Sequence, residues 1–197
     1  PELKFTFTVP ESFRMMNSSQ ALAAQGPGGT VVLFAGGHTI ASDSTLAYLQ
    51  KIWTEFAGDK ALEDVEQTTV NGMEAYTGQV TATSNGKQVI ARAFAIRYSP
   101  TQAYHFLIVM PAEQAAAQTD GLRTMTYSFK KLSDAEAANL KPLRISVVTV
   151  KSGDTLTSLA RRMDYEEFQL ERFLALNGLS ENSVVKPRDK VKIVVAR

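Results

Sequence analysis

The chain has two histidines, His38 and His105, in different segments, and neither opens the His-Glu-x-x-His helix that sets two ring nitrogens and a general base around zinc. Cysteine is absent, which excludes thiolate nucleophiles, disulfides and thiolate-held metals. No Gly-x-Ser-x-Gly elbow exists to expose a serine nucleophile. Gly26-Pro27-Gly28-Gly29 is glycine-rich, but it lacks the Lys-Ser/Thr of a phosphate loop and leads into a strand-forming run, so it reads as a turn. Glu63, Asp64 and Glu66 cluster where a strand begins, the place for a solvated, charge-protected edge. Phe94, Tyr98, Tyr104 and Phe106 read as sheet core, His105 as a partly buried, hydrogen-bonded histidine, and His38 as an exposed loop residue after Gly36-Gly37. These residues predict no catalytic group, no metal site and no cofactor, hence a protein that is not an enzyme.

The bulk properties are those of an ordinary globular chain: 197 residues, 44% hydrophobic, 21% charged, net charge +1. Residues 1–143 carry 11 Lys+Arg against 13 Asp+Glu, and residues 144–197 carry 10 against 7. That mildly basic tail is too weak a field to predict nucleic acid as a partner. No stretch approaches the roughly 18 unbroken apolar residues of a membrane span. The sequence opens on Pro1 without Met, which predicts a processed or truncated product.

Periodicity supplies the elements. Phe5, Phe7 and Val9 alternate with polar residues in a half-buried strand closed by Pro10, and Phe13–Met16 and Thr30–Ala35 predict two more. Ser42 or Asp43 can cap a helix whose Leu46, Leu49, Ile52, Trp53 and Phe56 share a face, and Gly58 stops it. Strands follow at 65–70, 74–83, 88–98 and 104–110, with Asn85-Gly86 as a two-residue hairpin signal, and then a helix from about Ala112 to Tyr127. This order predicts an α+β domain on an antiparallel sheet, residues 1–132. Residues 133–143 read as a polar linker with a helical turn, and 144–197 as a small βααβ unit: strand 145–150, helices 155–163 and 167–176, strand 190–195.

The small unit carries specific motifs. Val148-Thr-Val-Lys-Ser-Gly-Asp-Thr-Leu156 is followed by Leu159-Ala160, then Phe173-Leu-Ala-Leu-Asn-Gly-Leu179, Pro187 and Val191-Lys-Ile193. These motifs, in this order over roughly residues 146–195, resemble the LysM family. Thr155 or Asp154 can cap the first helix, and Gly178 can end the second in a left-handed cap. The resemblance implies binding of N-acetylglucosamine-containing glycan, peptidoglycan or a chitin-type oligosaccharide. The sugar would lie in a shallow groove between Ser152–Thr155 and Leu179–Val184. The residues it implicates are Ser152, Gly153, Asp154, Thr155, Asn177, Gly178 and Leu179; the same residue types also serve any turn or cap. The 164–169 connection is longer and more acidic than in the family, and Arg188-Asp189 stands where Pro-Gly is common.

The larger segment is similar to PsbP-like domains. The likeness rests on Phe7-Thr-Val-Pro-Glu-Ser-Phe13, the Gly26–Gly29 turn, the helix with Trp53, the Val70-Asn-Gly-Met-Glu-Ala75 turn and Thr126-Tyr-Ser-Phe129. It implies an αβα sandwich that docks a partner protein through residues 1–132 and carries no chemistry of its own. Together the two modules resemble the C-terminal region of bacterial periplasmic zinc metallopeptidases of the CAAX-protease-related class. The leading expectation is a non-catalytic binding protein of the bacterial periplasm or cell envelope. The alternative is the accessory tail of a metallopeptidase whose catalytic domain lies outside this chain.

Overall fold

The computed structural model describes residues 3–18, 21–39 and 44–197, the side chains of residues 38 and 39 excepted. The chain divides into two compact units, Glu2–Ser133 and Asp134–Arg197. In the larger unit the elements run β1 (Phe5–Thr6), β2 (Arg14–Asn17), β3 (Leu22–Gln25), β4 (Val31–Thr39), α1 (Thr45–Ala57), β5 (Glu63–Val70), β6 (Met73–Ser84), β7 (Lys87–Ser99), β8 (Gln102–Pro111), α2 (Ala115–Tyr127) and β9 (Lys130–Lys131). Seven strands form one antiparallel sheet in the order β2-β3-β4-β8-β7-β6-β5, and β1 pairs separately with β9. The architecture is the expected α+β one.

The period of two along β7 and β8 sorts side chains by size as well as polarity. One face carries Phe94, Ile96, Tyr104, Phe106, Ile108 and Met110, buried with Leu122 and Met125 of α2 and with Phe129. The other carries Ala91, Ala93, Ala95, Ala103 and Leu107 and receives Tyr48, Leu49, Ile52 and Trp53 of α1. Small residues on that face leave room for the bulky stripe of a helix, and large ones on the opposite face fill the space under a helix with fewer apolar groups.

Several expectations are refined. The cap of α1 is Ser44, whose hydroxyl accepts from the Ala47 N–H at 3.1 Å, and Gly58 ends the helix with φ 64°; Ser42 and Asp43 lie outside the described residues, as does the side chain of His38. Phe56, placed on the buried stripe by spacing, is 40% exposed. The opening strand pairs over only Phe5–Thr6. Its alternation still works, because Phe5, Phe7 and Val9 pack against the core. Thr8 N–H turns to the Ser128 hydroxyl at 2.8 Å instead of a sheet partner. Strand β3 was not expected, since Leu22-Ala-Ala-Gln has little of the β-branched or aromatic content that signals a strand. The second helix is preceded by a 3₁₀ turn at Ala112–Gln114.

Two hairpins use left-handed pairs, Asn71-Gly72 (φ 48° and 79°) and Asn85-Gly86 (φ 49° and 75°), the conformation that suits the twist of adjoining antiparallel strands. Asn71 does more than turn the chain. Its Nδ2 donates to the carbonyls of Tyr127 (3.1 Å) and Phe129 (2.8 Å), tying the end of α2 to the β5–β6 hairpin. At the start of α1, buried Thr45 donates to Glu74 and accepts from Arg97 Nε at 2.9 Å, and Arg97 also lies 3.6 Å from the Glu74 carboxylate.

His105 shares a 2.7 Å hydrogen bond through Nδ1 with the Tyr48 hydroxyl. Burial, and secondarily the charges of Glu55 and Tyr104, push the Tyr48 pKa from 10.0 up to about 12.

In the smaller unit, α3 (Asp134–Asn139) precedes β10 (Leu143–Thr149), α4 (Leu156–Ala160), α5 (Gln169–Asn177) and β11 (Lys190–Ala196). Strands β10 and β11 pair antiparallel, with Val148 opposite Val191. Leu159, Ala160, Met163, Phe173 and Leu174 from the helical side bury against Val150, Val191, Ile193 and Val194. Helix α3 lies where a helical turn is expected in the polar linker, and its Ala137 is 4% exposed.

Two outcomes test these interactions. Asn71→Gly keeps the positive φ and removes the amide, so denaturant unfolding should show a loss of about 1–3 kcal/mol; no loss would mean the clamp contributes nothing. Between pH 10 and 12 the unfolded chain has released the Tyr48 proton and the folded chain retains it, so stability should fall as pH rises through that window. Denaturation midpoints of the native chain and Tyr48→Phe, compared across the window, measure this, and the variant should decline less.

Candidate functional site

The implicated residues of the small unit fall at two turns. The first joins β10 to α4. Gly153 takes φ +87°, and an added Cβ there would meet nothing within 4 Å. Asp154 folds back so that its carboxylate accepts the Lys151 N–H at 2.7 Å, and its own N–H donates to the Lys151 carbonyl at 3.2 Å. Arg162 lies 3.8 Å from the same carboxylate. Thr155 is the cap: its hydroxyl accepts from Ser158 N–H at 3.1 Å while the Ser158 hydroxyl accepts from Thr155 N–H at 2.8 Å. Of the two capping residues left open by the sequence, Thr155 caps and Asp154 closes the turn. Ser152 is exposed, and its hydroxyl has no partner among the described residues.

The second turn ends α5. Gly178 takes φ +63° and ψ +35°, and the Leu179 N–H reaches back to the Leu174 carbonyl at 2.9 Å, the left-handed closure that glycine alone adopts without a Cβ penalty. An added Cβ at Gly178 would also project into open space. Asn177 is committed to structure. Its Nδ2 donates to the carbonyls of Phe173 and Lys192, both at 2.9 Å, and its Oδ1 accepts from Lys192 N–H at 2.7 Å. Both amide donors are used, which leaves a single acceptor lone pair. Leu179 is half-buried and, with Leu156, packs on the same core. The two turns are thus fixed by one hydrophobic cluster.

Two exposed apolar residues went unnoticed in the sequence. Val184 is 80% exposed in the loop before β11. The signal was present: Val185 packs on the core, so its immediate neighbour in an extended loop must face outward. Phe168 is 62% exposed with φ 53°, a left-handed backbone that costs a bulky residue about 1–2 kcal/mol. It sits in the long 164–169 connection, which is anchored rather than loose. Asp164 Oδ2 accepts from Ala196 N–H at 2.7 Å, and Gln169 Nε2 donates to the carbonyls of Met163 and Tyr165. Arg188 takes φ +83° in the turn where the sequence lacks a glycine. Among the described residues no group of three or more His, Cys, Asp or Glu is gathered to hold a metal, and no helix is long and apolar enough to cross a membrane.

The family model described as LysM domain matches residues 148–194. That segment is the LysM domain. It holds both turns, helices α4 and α5, the end of β10 and most of β11. Among solved structures, the larger unit's fold has a likeness in the cyanobacterial PsbP (CyanoP) of Synechocystis, at 10% identity over 66% of this chain and 88% of that one, with a TM-score of 0.50. LpqN of Mycobacterium tuberculosis, described as involved in cell envelope biogenesis, aligns at 11% identity over 66% of this chain and 83% of its own, with a TM-score of 0.47. A Bacteroides thetaiotaomicron protein aligns at 9% identity and a TM-score of 0.48 over 77% of this chain, which spans about half (52%) of that protein's length. At these identities the likeness concerns fold alone. No curated protein matches the chain by sequence.

The engaged and free groups of the LysM domain predict different mutational costs. Asn177→Ala removes three bonds and should destabilise by about 1–3 kcal/mol. Gly178→Ala should cost about 1–2 kcal/mol through the left-handed backbone. Ser152→Ala should cost nothing measurable. Urea denaturation followed by amide exchange in α5 would rank the three, and an equal cost at Ser152 would contradict the geometry.

Proposed function

We propose that the chain is a non-catalytic binding protein of the bacterial cell envelope whose LysM domain holds N-acetylglucosamine-containing glycan, as in peptidoglycan or a chitin-type oligosaccharide. The observation that carries this reading is the match of residues 148–194 to the LysM domain, with two rigid turns that present uncovered glycine backbone. A sugar ring approaches bare backbone closely, and its acetamido group needs a few fixed donors and acceptors beside an apolar floor. Ser152, Gly153, Gly178 and Leu179 supply such groups. Asp154, Thr155 and Asn177 act in this reading as positioning residues, because their side chains are already hydrogen-bonded. Val184 adds apolar surface. No feature of the geometry favours the metallopeptidase-tail reading. The larger unit is a docking module in this scheme.

The test is titration of the full chain with chitotetraose and co-sedimentation with insoluble peptidoglycan. The native chain should sediment at micromolar concentration, and Ser152→Trp or Val184→Glu should reduce binding at least about tenfold, roughly the loss of one well-made contact. A native chain that stays in the supernatant and gives no saturable signal with chitotetraose would sink the proposal.

A further inference from the structure

The larger unit contains a cleft of about 620 Å³ between α2 and the strands β5, β6 and β7, with Asp64, Glu66, Gln79, Arg92, Arg123 and Tyr127 among its walls. We infer that this cleft is a binding site for a short peptide carrying both a free carboxylate and a free ammonium group. The inference does not depend on the glycan reading.

Arg92 is a half-buried cation without a counter-ion among the described residues. Its Nη2 donates to Gln79 Oε1 at 2.6 Å, directly across the β6–β7 ladder, and Gln79 is its hydrogen-bond partner among the described residues. A neutral oxygen fixes the guanidinium plane without cancelling its charge, and the remaining donors of the fork stay available. Gln79 is itself oriented: its Nε2 donates to Asp64 Oδ2 at 3.3 Å. Asp64 occupies an irregularity in the β5–β6 pairing and takes φ +48°, a left-handed conformation. Bulges of this kind re-aim a side chain, and here the carboxylate is aimed into the cleft wall. The relay Asp64–Gln79–Arg92 is a preset arrangement across three neighbouring strands, β5, β6 and β7.

The opposite wall is helix α2. Arg123 stands over the Tyr127 ring at 5.7 Å and has no carboxylate partner among the described residues. Tyr127 is 37% exposed, packs edge-on against Phe94 at 5.5 Å and shares a 3.1 Å hydrogen bond with the Thr68 hydroxyl. Its ring is therefore held in place and offers a partly exposed apolar surface.

Charge selects the ligand class. Two arginines face the cleft, and Asp64 and Glu66 stand on its β5 side. A polyanion such as nucleic acid would be repelled by the carboxylates, and a plain cation by the arginines. A zwitterion satisfies both: its carboxylate pairs with the Arg92 and Arg123 guanidiniums, its ammonium with Asp64 and Glu66, and its backbone lies along Tyr127. Guanidinium geometry favours a planar carboxylate held by two parallel bonds.

The experiment is calorimetric titration of the full chain with tetra-alanine bearing free termini, with its C-terminal amide and with its N-acetyl form. Free tetra-alanine should bind saturably. Blocking either terminus should weaken binding about tenfold, the scale of one charge-assisted contact. Arg123→Gln and Arg92→Gln should each do the same, while chitotetraose binding by these variants stays as in the native chain. That second readout separates failure here from failure of the LysM reading. Arg123 is exposed on α2, so its variant carries the test even if Arg92→Gln disturbs the fold. No saturable binding of tetra-alanine, equal binding of the amide form, or binding indifferent to both arginines would overturn the assignment.

Discussion

The aromatic cluster on one face of the large sheet is the constraint from which the rest of that unit follows. Phe34, Tyr104 and Phe106 stand on neighbouring strands, and Phe129 meets all three with ring centroids 5.7–6.5 Å apart. Phe5 and Phe7 come from outside the sheet and insert among them at 4.7–5.3 Å from Phe34. Aromatic side chains bury large areas and prefer tilted and edge-on contacts, so this cluster fixes the positions of the elements that carry it. It holds the N-terminal segment against the sheet although that segment has only two ladder pairs. It also fixes the end of α2, which Asn71 then clamps through two carbonyls. The helix position so set makes one wall of the polar cleft, and strands β5–β7 make the other.

What was legible in the sequence was what local chemistry dictates. The Asn85-Gly86 turn, the stop at Gly58, the edge character of Glu63–Glu66 and the sheet role of Phe94 and Phe106 all follow from residue types and spacing. Strand β3 was invisible because its sequence has little intrinsic preference, and it forms because β2 and β4 pair with it on either side. The short reach of β1 was invisible for a different reason. Alternation shows which side chains turn inward but says nothing of where the backbone bonds go, and those of Phe5–Thr6 go to Lys130–Lys131, far along the chain.

The candidate site was legible to the level of its turns. Gly153, Thr155 and Gly178 have the backbone roles their types imply. The cleft residues could not be joined from sequence, because Asp64, Gln79, Arg92 and Arg123 belong to four elements and only register brings them to one place. Asp64 and Glu66 were visible as an acidic edge. The role of Gln79 depends on facing Arg92 across the ladder, a relation that no linear motif encodes.

The size of the LysM domain explains the division of labour within its surface. A core of nine buried apolar residues is near the lower limit for about fifty residues, so the hydrophobic effect alone leaves such a unit marginal. Polar side chains close to the turns are therefore drawn into structural service: Asp154 closes one turn, Thr155 and Ser158 cap a helix reciprocally, and Asn177 ties α5 to β11 through two bonds to the Lys192 backbone. A side chain saturated by its own backbone has little left to offer a ligand. The groups left for the proposed glycan site are the uncovered backbone of Gly153 and Gly178, the Ser152 hydroxyl, Leu179 and Val184. A binding site of that proposed kind would make few strong contacts, which sets a modest ceiling on the affinity of one domain.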